Sequence, residues 1–531
     1  MSRADRMSLV SAALRSGLCA AALAACTEGP GEVAEAPPAP HGVVLLTIDT
    51  LRADHLPWHG YPRNTAPFLA DLAERSTVFL DAVSTASHTA PSHGSMLTGL
   101  YPSQHGVTRN GGDLHESITT LPEILGAEGY DTAAFTSVIF LDGLSKGFDA
   151  FFDAGVTEYE LRHGLATKSH RSAVDTVGAA MQWLEKRSPD KPFCLWVHLF
   201  DVHEWKDQPA PDEVLDRLHG EDAAAGLSGG ALVQRLVDDQ ALNPDWFESE
   251  KGLGEALPNI DRYDGAISVV DSAVADLFEA VSAAPGGDDV IWIIAADHGE
   301  GFTNHDLLGH SRHVYNEQLA VPLLVHGSHG RWPASRVQGL VQPIDMVPTV
   351  VELTGASMSP TTLPVGSEML QRRSWVPLLR GEGRLASEAS EASEAHDAGS
   401  TGSDSSASAQ GASPGLLLDA ASLGERMAFS ERRPMDDHQR ENGWVGGETR
   451  VLQDDRYKLI LSAEAPAEFY DMQADPLELH DLADAPPFEL LRYIEMLGDH
   501  GLLMSDQAAA IGAGVVNPEH LDELRRLGYV K

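Results

Sequence analysis

Two carboxylates, an imidazole and a hydroxyl stand just beyond apolar runs, and together they could do chemistry. Asp49 follows Val43-Val44-Leu45-Leu46-Thr47-Ile48, and Asp297-His298 follows Val290-Ile291-Trp292-Ile293-Ile294-Ala295-Ala296. Thr89 lies in Ser87-His88-Thr89-Ala90-Pro91-Ser92-His93-Gly94. A further pair, Asp201 and His203, follows the run 193–200, and His310 stands in Leu308-Gly309-His310. Singly, each has a plain explanation. A lone Asp after a strand is more often a helix cap than a ligand. Thr89 precedes a helix expected at 91–97, opened by Pro91, whose missing N–H suits a first turn. That window alone favours a cap, yet the same hydroxyl would face free backbone N–H groups, a field that favours an anion.

Gathered at one sheet edge, Asp49, Thr89, Asp297 and His298 would hold one divalent cation. Oxygen ligands favour a hard ion, Ca2+ or Mg2+/Mn2+, and the imidazole keeps Zn2+ open. A cation on the Thr89 oxygen would favour the alkoxide at neutral pH. Attack on a sulfuryl or phosphoryl ester would give a covalent Thr89 ester, with the alcohol leaving in line. The transferred charge needs further cationic donors, for which His93, His203 and His310 are candidates. His203 or His310 could protonate the leaving oxygen. His105, Arg109 and Asn110 follow closely as candidate substrate-binding residues, although Asn also suits a plain turn.

These residues need elements to position them. The runs at 43–48, 193–200 and 289–296 are short, apolar and rich in β-branched residues, as strands buried on both faces of a parallel sheet are. Further strands are expected at 77–82, 132–136 and 318–326. Helices are expected at 65–75, 118–129, 173–186, 263–281 and 344–354. On that long helix Tyr263 and Asp271 read as packing and surface groups. Residues 204–258 are acidic and irregular with short helical pieces, a candidate lid or insertion over the site. Strands alternating with helices imply an α/β domain with a mainly parallel sheet and helices on both faces, over 42–380. Residues 381–415 are mostly Ser, Ala, Gly and Glu, too polar to fold, and read as a disordered linker. From 416 to 531 short strands suggest a small antiparallel sheet, with helices at 488–497 and 518–527.

The formal charge of −42 over 531 residues argues against nucleic acid or an anionic lipid surface as partner, since both are repelled. An anionic small-molecule, glycan or lipid ester would need a local positive site. Arg3, Arg6 and Arg15 precede a short apolar run, as in an export signal spanning 1–26. Leu23-Ala24-Ala25-Cys26 resembles a lipoprotein box, which would lipidate Cys26 and leave 27–41 as a tether. The expectation is an exported cell-envelope lipoprotein facing periplasm or exterior, touching the membrane only through that anchor. Cys194 is then the one cysteine of the body, with no disulfide, and sits in an apolar run as a core residue.

The ordered motifs resemble those of sulfatase-family proteins in the alkaline phosphatase superfamily. They are Leu46-Thr47-Ile48-Asp49-Thr50-Leu51-Arg52-Ala53-Asp54-His55, the stretch from Thr89 to Val107, Phe200-Asp201-Val202-His203, Asp297-His298-Gly299-Glu300, the run from Gly309-His310 to Tyr315, and, near the end, Arg456-Tyr457-Lys458 and Phe469-Tyr470-Asp471. The resemblance implies an alkaline-phosphatase-like core and a small C-terminal sheet subdomain. It also implies a metal at Asp49, Asp297 and His298, a nucleophile at Thr89, and a supporting role for Arg52. True sulfatases of this family carry a Cys or Ser that becomes formylglycine in a Cys/Ser-x-Pro-x-Arg motif. Here Thr89 and His93 fill those positions, and oxidised threonine would be a ketone, so no formylglycine is expected. The usual second acidic ligand is Thr50. A threonine nucleophile resembles phosphodiesterase and phosphotransferase branches, which tilts the expectation slightly towards phosphoesters and phosphodiesters over sulfate esters. A phosphoryl or phosphoethanolamine-type transferase of the envelope, and a non-catalytic relic that binds anions, are the competing readings. Retention of Asp49, Asp297 and His298 weighs against the relic.

Overall fold

A computed structural model describes residues 38–155, 170–207, 210–238, 256–301, 305, 309–358, 372–382, 384–385, 416–423, 426–434, 447–483 and 488–499. The export signal, Cys26, the tether up to residue 37 and the helix expected at 518–527 lie outside the described residues.

A ten-stranded sheet forms the core, in the order β4-β3-β5-β1-β6-β7-β2-β8-β10-β9. Its central strand β1 (Gly42–Ile48) is buried along its whole length. It pairs in parallel with β5 (Phe193–Leu199) on one side and β6 (Val290–Ala296) on the other. The continuous apolar runs follow from this, because each of these strands is covered on both faces. In register, Ile48 faces Leu199 and Ala296, so the three chains leave the sheet side by side. β2 (Thr77–Ala82) runs the same way, through antiparallel β7 (Leu323–Gly327). Its carboxyl end therefore feeds the Thr89 segment to the same edge. β3 (Asp131–Thr136) and β4 (Ala150–Phe152) extend the sheet beyond β5.

Helices α1 (Pro67–Ala73), α2 (Thr89–Thr98), α3 (Leu121–Ala127), α4 (Ala173–Lys186), α5 (Asp212–Ala225), α6 (Gly230–Asp238), α7 (Ala256–Ala283) and α8 (Met346–Thr354) accompany the sheet. The helical pieces expected within 204–258 include α5, of 14 residues, and α6, of nine. Arg63 ties α5 and α7 to the body through Asp222, at 2.7 Å, and Asp264, at 2.9 Å. Asp271 is buried, not a surface group: its carboxylate accepts the Phe68 and Leu69 amides at the start of α1. Cys194 is buried in β5, and burial pushes its thiol up to about 12. Among the described residues no helix is long and apolar enough to cross a membrane.

Two expected boundaries move. The strand at 318–326 starts only at Leu323, because Asn316–Leu319 makes a helical turn and Pro322 has no N–H to give a ladder. β8 (Ser335–Val341) pairs in parallel with the other side of β2. The start of the expected linker enters the fold: β9 (Arg384–Leu385) pairs with β10 (Leu416–Asp419), and β10 pairs in parallel with β8, while 386–415 lie outside the described residues. Residue 416 thus begins a strand of the large sheet, between β8 and the edge strand β9, rather than the small subdomain.

That subdomain is a four-stranded antiparallel meander, β11 (Ala428–Arg432), β12 (Thr449–Gln453), β13 (Tyr457–Ser462) and β14 (Glu468–Asp471), with α9 (Phe488–Asp499). Phe429, Leu459, Leu461, Phe469, Leu490 and Tyr493 form its core. A buried ion pair, Lys458 Nζ to Glu478 at 2.7 Å, joins it to the large domain through Asn316, whose side chain accepts from Lys458 at 3.0 Å.

Candidate active site

Two strand ends and one helix start meet at the sheet edge. Asp49 follows β1, Asp297 and His298 follow β6, and Thr89 occupies the first turn of α2. The structure corrects the cap reading of Thr89: α2 begins at Thr89 rather than at Pro91, and His88 holds the cap position. The Ala90 N–H donates to Asn110 Oδ1 at 2.9 Å, so Asn110 caps this helix next to the hydroxyl. Thr89 is buried, with Oγ1 at 3.3 Å from His298 Nε2.

The carboxylates converge on the same imidazole. His298 Nε2 lies 3.8 Å from Asp49 Oδ1 and 3.4 Å from Asp297 Oδ2. Both oxygens are buried with no hydrogen-bond partner. Buried polar atoms are normally satisfied, so two orphaned carboxylate oxygens facing one imidazole fit a cation. Among the described residues, Asp49, Asp297 and His298 are one of two groups able to hold a metal ion. The other is His93, His198 and Asp297, but both His93 nitrogens and His198 Nε2 are engaged elsewhere. His93 Nδ1 lies 2.8 Å from Thr89 O and Nε2 lies 2.9 Å from Thr47 Oγ1. Asp49 Oδ2 lies 3.2 Å from His198 Nε2.

Electrostatics separates the two acids. Burial raises Asp49, but the His198 hydrogen bond and the charges of His298 and His203 outweigh it and hold the carboxyl well below its usual range. Burial and the neighbouring Asp49 raise Asp297. The Asp49–Thr50 turn is strained: Thr50 has φ 57, a rare conformation for a β-branched residue. Its backbone is fastened at both ends, by Tyr263 Oη donating to Thr50 O at 2.6 Å and by Thr50 N–H donating to Asp297 Oδ1 at 3.2 Å. Tyr263 thus holds the metal turn, a larger role than packing. Arg52, also buried, supports the same loop through Asp54 and the Glu300 carbonyl, at 3.0 Å.

Other expected residues divide. His203 stacks on Phe200 at 4.0 Å, bonds Glu204 at 3.0 Å, and stands 4.9 Å from the His310 ring. Burial lowers its pKa, but Glu204, Asp49 and Glu300 raise it above the ordinary value. His310 lies 4.6 Å from the His298 ring, with Nδ1 at 3.4 Å from Glu300. Burial pushes it down to about 4. Arg109 is exposed. His93 and His105 are corrected. Burial, then the charge of His198, drives His93 down to about 3, and with both nitrogens engaged it is no cationic donor to substrate. His105 is buried against α2, with Nε2 near Ser95 Oγ and Pro91 O at 3.2 Å and Nδ1 accepting the Val107 amide, so it braces the helix. Asp201 accepts the Ala173 amide at 2.7 Å, at the start of α4, and is a helix cap.

His198 was not foreseen. It sits inside β5, opposite Thr47, where a polar residue in an apolar run was the available signal. Ser84 and Ser92 were also missed. Both hydroxyls donate to the Asp297 carbonyl, at 2.5 Å and 2.8 Å, and tie its loop to α2.

A buried α/β site with a metal-ligand set beside a hydroxyl defines an ester hydrolase. Residues 41–356 match the sulfatase family, and the chain belongs to it. A multifunctional alkaline phosphatase superfamily protein, PehA of Trinickia caryophylli, is 23% identical over 522 residues, covering 85% of this chain and 92% of PehA. A Δ4,5-hexuronate-2-O-sulfatase of Bacteroides thetaiotaomicron is 21% identical, covering 90% of each chain. Among solved structures, the phosphonate monoester hydrolase of Agrobacterium radiobacter superposes with a TM-score of 0.56 at 19% identity, covering 87% of this chain and 96% of that one. BT4656, solved with its substrate D-glucosamine-2-N,6-O-disulfate, gives 0.60 at 16% identity, covering 87% and 97%. The architecture is shared, and sulfatase-family enzymes use a divalent metal.

Proposed function

We propose that this chain hydrolyses phosphate or sulfate esters through a covalent Thr89 intermediate, with phosphoesters and phosphodiesters slightly favoured. The observation that carries the reading is the placement of Thr89 Oγ1 beside His298 Nε2 and the orphaned oxygens of Asp49 and Asp297. Those four residues would hold one divalent cation, Ca2+, Mg2+ or Mn2+, with Zn2+ open because of the imidazole. When bound, the cation supplies a lowered hydroxyl pKa and neutralises charge on the group being transferred.

The chain's own residues do the rest. The α2 N-terminus sets the positive end of its helix dipole beside the hydroxyl, which favours an anionic ester there, and Asn110 fixes that terminus. Thr89 Oγ1 forms the new bond to phosphorus or sulfur as the bond to the alcohol oxygen breaks. His203, with its raised pKa, is the stronger candidate to give that oxygen its proton. His310 stays neutral and is oriented by Glu300. Water then cleaves the Thr89 ester and restores the hydroxyl. PehA and the phosphonate monoester hydrolase support the phosphoryl side by their names, and the hexuronate sulfatase the sulfuryl side. A threonine side chain keeps formylglycine out of either route. The signal pattern ending at Cys26 supports an exported, lipid-anchored protein facing periplasm or exterior.

The test is intact-protein mass spectrometry after a brief pulse of matched aryl phosphate, phosphodiester and sulfate substrates. The expected result is a transient adduct on Thr89, released by water without an added alcohol. Full turnover by Thr89→Ala would overturn the mechanism. Release only on adding an alcohol would move the chain to the transferases.

A further inference from the structure

The small sheet reaches the nucleophile. β11 is stitched to the segment leading into α2: Glu431 N–H donates to Thr85 O at 2.9 Å and Ser430 Oγ to Ser84 O at 2.6 Å. The Glu431 carboxylate accepts the Ser103 amide at 2.7 Å. The end of β11 is therefore fixed relative to Thr89. Beyond that end, Arg432 and Arg433 line a cavity of about 240 Å3 with His88, Pro91, Ser103 and Ser311. His88 precedes Thr89 and Ser311 follows His310, so the cavity wall is built in part from the chain neighbours of the reacting hydroxyl and imidazole.

Its wall carries two arginines, Arg432 and Arg433, and two carboxylates, Glu431 and Glu448. The acidic groups on the wall are engaged, Glu431 by Ser103 and Glu448 by Arg450 at 2.7 Å. Arg432 is only 6% exposed. It donates to Thr449 Oγ1 at 2.6 Å and to the Arg433 carbonyl at 3.3 Å, while its Nε is buried with no hydrogen-bond partner. Burial, then the charge of Arg433, pushes its pKa down to about 10. An unmet buried guanidinium donor costs free energy that an anionic acceptor would recover. In a chain of charge −42, which repels anions over most of its surface, two adjacent arginines here are a local exception.

We propose that this cavity holds a second acidic group on the substrate's alcohol portion, a carboxylate or a further sulfate or phosphate. Arg432 and Arg433 then select esters that are anionic at two places. The cavity is smaller than the roughly 300 Å3 at which drug-sized clefts begin, and suits a single ring or acid group rather than a long chain. This inference rests on Thr89 marking where the ester reacts.

The test uses the full-length, metal-loaded protein and three aryl esters that differ only at one ring position: carboxylate, sulfonate and neutral carboxamide. The expected result is a kcat/KM at least about tenfold higher for an acidic member than for the neutral one. Arg433→Gln and Arg432→Gln should shrink that ratio at least about fivefold, with Arg433→Lys retaining part of it. The two acidic arms tell which acid the cavity takes. Equal kcat/KM for acidic and neutral members, or a ratio unchanged in both Gln variants, overturns the proposal. If no ester is turned over, the reading of Thr89 fails, and calorimetry with 4-hydroxybenzoate decides the cavity by itself. Binding weakened about tenfold in the Gln variants supports it, and equal or absent binding overturns it.

Discussion

At the scale of single residues, the site is a contest between burial and charge. Asp49 and Asp297 would repel each other across a dry space, and burial penalises both ionised forms. Neither penalty is relieved by a protein donor at Asp49 Oδ1 or Asp297 Oδ2. A divalent ion removes both costs, so its binding and folding are linked. At a cation concentration of about 100 times Kd the folded state gains about 2.7 kcal/mol. Asp297→Asn should therefore lower the divalent metal retained after gel filtration from about one equivalent towards zero. It should also abolish the drop in Tm that a chelator causes in the parent protein. Full metal content in the variant would remove Asp297 from the ligand set. These residues were legible because chemistry-bearing side chains placed directly after apolar strands stand out against their surroundings. His198 was not legible, since a residue inside a strand is read for its burial. Asp201 misled for the converse reason: a carboxylate after a strand serves as a helix cap when a helix start lies across from it, as α4 does.

At the scale of elements, α2 is the part that must not move. Every residue of it is buried, which explains why its sequence shows no amphipathic stripe. Its register against His105 depends on Gly94, where an added Cβ would lie 2.6 Å from His105 Cε1. Gly94→Ala should force the imidazole away from Ser95 and Pro91. The expected cost is about 1–3 kcal/mol, the usual range for overpacking. Because Thr89 and Asn110 share that helix start, kcat should fall more than the metal content does. An unchanged urea midpoint would show that His105 yields freely and does not brace the helix. The helix was legible from Pro91, and the parallel strands from their continuous apolar runs. The 318–326 region was not, because the one-turn helix Asn316–Leu319 has a single apolar residue, Leu319, which reads on into the apolar run that follows. β10 was hidden for another reason: four residues beyond a Ser-rich stretch give no period of their own, and the partner that makes them a strand, β8, is remote in sequence.

At the scale of the whole molecule, the two sheets are held together by buried polar groups, and these make the fold sensitive to acid. Lys458 and Glu478, both in the C-terminal subdomain, are buried and paired with each other, and both reach across the domain junction to Asn316. The resemblance of the Arg456-Tyr457-Lys458 stretch pointed to a C-terminal subdomain, but nothing in its spacing showed that Lys458 would reach Asn316. Histidines away from the metal set the pH response. Burial drives His105, His313 and His326 each down to about 4. In the unfolded chain each takes up its proton near about 6.5. Between those values the unfolded state binds more protons than the folded one, so unfolding free energy falls as pH falls through that window, and the stabilisation is fully present above it. Each group can remove at most about 1.4 kcal/mol per pH unit. Tm should thus stay level from about pH 8 to 7 and decline increasingly below about 6.5, and His326→Gln should make the decline shallower even if it lowers Tm at neutral pH. A Tm constant down to about pH 5 would mean that these imidazoles are protonated inside the folded protein, and the burial argument for them would be wrong.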